Sequence, residues 1–119
     1  MSANPIVPDT ALIRLAEGLM DELQASEVRL LDVRSQTGMT DFMLIATGRN
    51  ARHIRALADR LIERSKNAGY RVLGVEGLQW GEWVLIDLGD LVVHLMRQET
   101  RDFYKLEDLW EFDSAAAGA

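Results

Sequence analysis

The stretch Trp83-Val84-Leu85-Ile86-Asp87-Leu88-Gly89-Asp90-Leu91-Val92-Val93-His94-Leu95-Met96 decides the fold. It is two apolar runs broken only by Gly89-Asp90. A two-residue Gly-Asp connection between such runs predicts a β-hairpin, because glycine reaches the positive φ of a tight hairpin turn. In that register Leu88 faces Leu91, Ile86 faces Val93 and Val84 faces Leu95, and alternation puts all six on one aliphatic side. The other side carries Trp83, Leu85, Asp87, Val92, His94 and Met96, with Trp83 and Met96 paired across the open end. An acid, an imidazole and an indole among aliphatics are unusual on a face that only meets water. Periodicity leaves two readings open: the last helix covers this face with Phe103 and Trp110, or the face is an aromatic and methionine-rich interface.

Working outward from the hairpin, Leu12, Leu15, Ala16, Leu19, Met20 and Leu23 recur at helical spacing after a possible cap at Asp9 or Thr10. Residues 28–34 read as a half-buried strand, Ser35-Gln36-Thr37-Gly38 as a turn, and residues 42–46 as an inner strand covered on both faces. Asn50 is a good N-cap for a helix over 51–68. Its stripe of Ile54, Leu57, Ala58, Leu61 and Ile62 is apolar, an Arg55–Asp59 pair is expected outside, and Gly69 follows as its C′ residue. Residues 70–75 form another strand, completing a βαβ unit, and 76–82 a loop containing Trp80. Phe103, Leu106 and Trp110 share a face of the last helix. The order α-β-β-α-β-β-β-α predicts one α/β domain over residues 10–112, with a mixed five-stranded sheet flanked by helices. Residues 1–9 form an irregular lead-in and 113–119 a frayed, alanine-rich tail.

The 119 residues suffice for a core without staples, and with no cysteine, disulfides and thiolate chemistry are excluded. No apolar run approaches a membrane span, and the N-terminus resembles no secretion signal. Thirteen Lys and Arg against 19 Asp and Glu give a formal charge of −6. Nucleic-acid binding by the whole surface is disfavoured, and a basic partner is favoured.

Catalytic constellations are weak. Asp87 and Asp90 invite a metal reading, but three residues across a turn put their carboxylates on different faces, and Asp90 reads better as a turn residue bonding its own backbone. Gly48 before a helix resembles a phosphate-binding position, yet no glycine-rich phosphate motif surrounds it, and turning the chain is explanation enough. His53 and His94 lack a nucleophile or carboxylate in catalytic reach and read as structural or interface histidines. No metal or cofactor is called for.

Thr40-Asp41-Phe42, Ala46-Thr47-Gly48 with Arg52-His53, Gly74-Val75-Glu76-Gly77, the hairpin from Trp83 through Asp87, Gly89-Asp90 and His94, and Phe103-Tyr104-Lys105-Leu106-Glu107-Asp108-Leu109-Trp110 occur in this order. Together they resemble the ribosomal silencing factor family, also called Iojap-like proteins, over nearly the whole chain. The resemblance implies a nucleotidyltransferase-like fold without catalysis or cofactor. It implies a bacterial or organellar protein, expected here to be bacterial and cytoplasmic, that binds the large ribosomal subunit through ribosomal protein uL-fourteen, blocks joining of the small subunit and represses translation in starvation. It further implies a homodimer when free. The contact residues it suggests are Trp83, Leu85, Asp87, Leu88, Val92, His94, Met96 and Tyr104. The rival readings are a nucleotidyltransferase-like enzyme using a nucleotide and Mg, and an assembly factor for the large subunit.

Overall fold

The hairpin forms in the expected register. In a computed structural model that describes residues 10–35, 38, 40–106 and 108, β4 (Trp83–Asp87) and β5 (Leu91–Arg97) pair antiparallel. Val84 lies opposite Leu95, Ile86 opposite Val93 and Trp83 opposite Met96, and the Leu88 amide closes the turn onto the Leu91 carbonyl at 2.9 Å. Gly89 takes φ +88, the conformation for which a side chain would be strained.

Around it, α1 (Thr10–Glu22), β1 (Ser26–Asp32), β2 (Phe42–Gly48), α2 (Ala51–Asn67), β3 (Gly74–Glu76) and α3 (Gln98–Tyr104) complete the described elements. The sheet order is β1-β2-β5-β4-β3, with β2 parallel to β5 and every other neighbouring pair antiparallel. This is the expected element order and the expected mixed five-stranded sheet. Every residue of β2 is buried, as an inner strand requires.

One sheet face is closed by α1 and α2. Leu12, Ala16, Leu19 and Met20 of α1 and Ile54, Leu57, Ala58 and Leu61 of α2 meet Leu44, Ala46, Val84, Ile86, Val93 and Leu95. Burying one such leucine or isoleucine contributes about 2 kcal/mol, so this face holds the domain together. Asn50 caps α2, its Oδ1 accepting from the His53 amide at 2.8 Å, and Gly69 follows the helix at φ +93. Gly48 does not turn the chain. It is the last residue of β2, and a Cβ there would sit 2.5 Å from Ile54 Cγ1, so it lets α2 approach the sheet.

Several boundaries depart from expectation. β1 starts two residues earlier and is an exposed edge strand; only Leu31 within it is buried, so its sequence carries little alternation. β3 shrinks to three residues, Gly74–Glu76, and upstream of it the Leu73 amide donates to Asp87 O. The Arg55–Asp59 pair gives way to bonds from Arg55 to the Leu78 and Gln79 carbonyls. Asp9, Gln36, Thr37 and Trp110, the lead-in 1–9 and the tail 113–119 lie outside the described residues.

Candidate functional site

The second face of the hairpin divides into a buried part and an accessible part. Met96 is 0% exposed, within a second cluster formed by Leu31, Val33, Met43 and Ile45, against which Trp83 and Leu106 pack. His94 and Leu88 are also buried. The expectation that Leu88, His94 and Met96 touch a partner is therefore corrected. Leu88 points into the main core at the hairpin turn, and Met96 is closed over by its neighbours. Trp83, Leu85, Asp87 and Val92 are half-buried, and Tyr104 is 57% exposed.

His94 nevertheless shapes the accessible part. Trp83 Nε1 donates to His94 Nδ1 at 2.9 Å. An indole N–H can only donate, so the imidazole is neutral with its proton on Nε2. Burial pushes the His94 pKa down to about 4, since the charged ring would lose its hydration. Below that value the ring would present a second donor to the indole. The neutral histidine thus holds Trp83 in one orientation.

On the indole rests Tyr104, with ring centroids 5.0 Å apart and planes inclined by 52°. Phe103 meets Tyr104 edge-on at 4.9 Å and is 78% exposed. Of the two residues named in the covering reading, Phe103 is left outside and Trp110 lies beyond the described residues; Tyr104 is the α3 residue that rests on Trp83. α3 therefore covers the face only in part, leaving Phe103 and Tyr104 exposed beside half-buried Trp83.

What fixes α3 in position is Arg101. It is 4% exposed, and its Nη1 donates to Thr47 Oγ1 at 2.8 Å and to Glu27 O at 2.6 Å. The Glu27 carbonyl is available because β1 bulges between Ser26 and Arg29, with Glu27 at φ +48. Sequence reasoning missed Arg101 because a helical arginine normally reads as solvated. The signal that could have found it is Thr47, a polar residue in a strand otherwise wholly apolar apart from its closing glycine.

The acids sort differently from expectation too. Asp87 Oδ1 accepts from the Gly89 amide at 2.9 Å, so Asp87 and not Asp90 makes the turn bond. Asp90 contributes its carbonyl, which accepts from the Asp41 and Phe42 amides. Exposed Glu82 follows the loop next to Trp83, giving the aromatic surface an acidic border. His53 is structural: its Nδ1 accepts from the Arg49 amide at 2.9 Å, and Nε2 lies 2.8 Å from Leu23 O. Among the described residues no group of three His, Asp or Glu could hold a metal ion, and no helix is long and apolar enough to cross a membrane.

Comparison with known proteins agrees with the geometry. The family described as "Ribosomal silencing factor during starvation" matches residues 7–117. The ribosomal silencing factor RsfS of Haemophilus influenzae is 38% identical over 100 residues, covering 84% of this chain and 98% of the relative. A mouse relative, "Mitochondrial assembly of ribosomal large subunit protein 1", is 30% identical over 86% of this chain, which spans 46% of that protein. A crystal structure of a protein from Chromobacterium violaceum superimposes with a TM-score of 0.85 at 35% identity, covering 88% of each chain. With this fold, these motifs and matches over most of its length, the chain belongs to the ribosomal silencing factor family.

Proposed function

We propose that this protein binds the large ribosomal subunit through ribosomal protein uL-fourteen, sterically blocks joining of the small subunit and so represses translation, without catalysis. The observation that carries the reading is the exposed Tyr104 resting in tilted contact on Trp83. Exposed aromatics on a rigid support are the side chains that anchor protein interfaces, and a preset orientation lowers the entropy cost of binding. Trp83, Leu85, Val92 and Tyr104 supply the apolar contact, while Asp87 and Glu82 suit the arginines and lysines of a basic ribosomal protein. His94 and Met96 act from beneath, as support, while Leu88 belongs to the main core on the other side of the sheet. The free protein is a homodimer in the cytoplasm on this reading.

Non-catalytic action is supported by Asp87, whose carboxylate is engaged by the Gly89 amide rather than paired with a second acid for a metal. The test is a photo-crosslinking amino acid at position 104, irradiated with purified large subunits. The expected adduct is with uL-fourteen; an adduct with another protein, or none, refutes the assignment. A second reading, an assembly factor for the large subunit, is favoured by the printed name of the mouse relative and uses the same surface. It predicts binding to immature subunits in preference to mature ones.

A further inference from the structure

The formal charge of −6 hides an uneven distribution. Residues 49–66 carry six of the 13 Lys and Arg but only two of the 19 Asp and Glu, leaving seven cations against 17 acids elsewhere. An acidic molecule therefore carries a basic segment, and α2 supplies most of it. One side of α2 fills the core through Ile54, Leu57, Ala58 and Leu61, while Arg52, Arg55, Arg60 and Lys66 are exposed on the other. Arg60 pairs with Glu63 at 3.6 Å and Arg64 with Glu22 at 2.8 Å. Among the described residues, Arg49, Arg52, Arg55 and Lys66 have no carboxylate partner.

Three of those four crowd the start of α2, where the helix dipole already disfavours cations and the first turn holds no acid. Beside them stands Trp80, 68% exposed. Its loop is tied to this end of the helix. Arg55 Nε and Nη2 donate to the Leu78 and Gln79 carbonyls at 3.2 and 3.1 Å. Gly81 lies so close to Ala51 that a Cβ would approach the Ala51 carbonyl oxygen to 3.0 Å. The loop that carries this exposed indole is thus tied beside a cluster of arginines without carboxylate partners.

We propose that Arg49, Arg52, Arg55 and Trp80 form an RNA-binding surface, the arginines holding phosphates and the indole stacking on an unpaired base. An acidic protein segment would satisfy the arginines and leave the indole unused; RNA engages both. Recognition is independent of sequence, since every base offers a face to stack on. α2 and the Trp83–Tyr104 pair lie on opposite sides of the sheet, so one molecule can grip protein with one side and RNA with the other. Only the source of the RNA, the large subunit's own, rests on the function proposed above.

The test is fluorescence anisotropy of a fluorescein-labelled ten-residue oligouridylate titrated with the full chain across 50–200 mM KCl. The wild type binds, with affinity falling as salt rises. Arg49→Ala with Arg52→Ala flattens the slope of log K against log salt by about 1.4, or about 0.7 per lost phosphate contact. Trp80→Ala weakens binding roughly tenfold at unchanged slope. Tyr104→Ala leaves the titration unchanged, which separates this surface from the hairpin: loss of large-subunit co-sedimentation by that variant reads the other contact alone. Three results would overturn the proposal. They are no binding at 50 mM KCl, wild-type affinity in Trp80→Ala, or equal competition by polyglutamate, which would assign the face to an acidic protein.

Discussion

Acidification tests the buried contact that orients the indole. The folded protein holds His94 neutral down to a pKa of about 4, whereas an unfolded histidine titrates near 6.5. Between those values the unfolded chain binds a proton that the folded chain refuses, so stability is complete above about pH 6.5 and is lost as pH falls towards 4. Working the linkage at pH 5, the unfolded state gains a factor of about 30, or about 2 kcal/mol, relative to pH 7.5. For a domain of this size that lowers Tm by about 8 °C. The lowered pKa values of Asp32 and Glu22, held down by Arg34 and Arg64, act in the same direction but only at pH near and below the ordinary carboxylate range. Scanning calorimetry at both pH values, on the wild type and on His94→Gln, isolates the histidine. The variant keeps an acceptor for the indole and cannot titrate, so its Tm should fall by only a small part of the wild-type drop. Equal losses in both proteins would refute the claim that burial keeps His94 neutral.

Other perturbations follow from the same geometry. Arg101→Met leaves Thr47 Oγ1 and the Glu27 carbonyl without their donor; urea unfolding should show a loss of about 3 kcal/mol, with large-subunit binding weakened alongside. Gly77→Ala places a Cβ 2.1 Å from the Trp83 carbonyl oxygen at φ +84. It should cost at least about 2 kcal/mol by the same assay, where an unchanged midpoint would contradict the packing described. Trp83→Ala should both destabilise and abolish large-subunit binding, because the indole is part core and part surface. Tyr104→Ala removes a side chain more than half exposed, so its unfolding midpoint should move by less than about 0.5 kcal/mol while binding falls.

The hairpin was legible because three independent signals coincided in one stretch: alternation, a Gly-Asp turn and complementary apolar runs. α2 was legible for a similar reason, with Asn50, the apolar stripe and Gly69 marking its start, face and end. The edges were harder. β1 and β3 each have a strand on one side only, so fewer of their residues are buried and their period-two pattern is weak. The accessible surface was half legible. Alternation put Trp83 and Met96 on one face correctly, but burial of that face depends on what α3 and the far end of β2 bring to it, which no local pattern encodes. Arg101 illustrates the limit: its role exists only because a bulge turns Glu27 towards a threonine 54 positions upstream of the arginine. Net charge misled in the opposite way, since an average over the chain concealed the cationic side of α2.

The function proposed above requires that the Trp83–Tyr104 surface keep ribosomal subunits apart. Its most direct test is subunit joining followed by sucrose-gradient sedimentation, with purified large and small subunits and either the wild type or Tyr104→Ala. The wild type should travel with the large subunit and reduce the joined fraction in proportion to its occupancy, while Tyr104→Ala, folded and at equal concentration, should leave joining near its level without protein. A wild type that binds yet leaves the joined fraction unchanged, or a Tyr104→Ala variant that blocks joining as well as the wild type, would contradict the account.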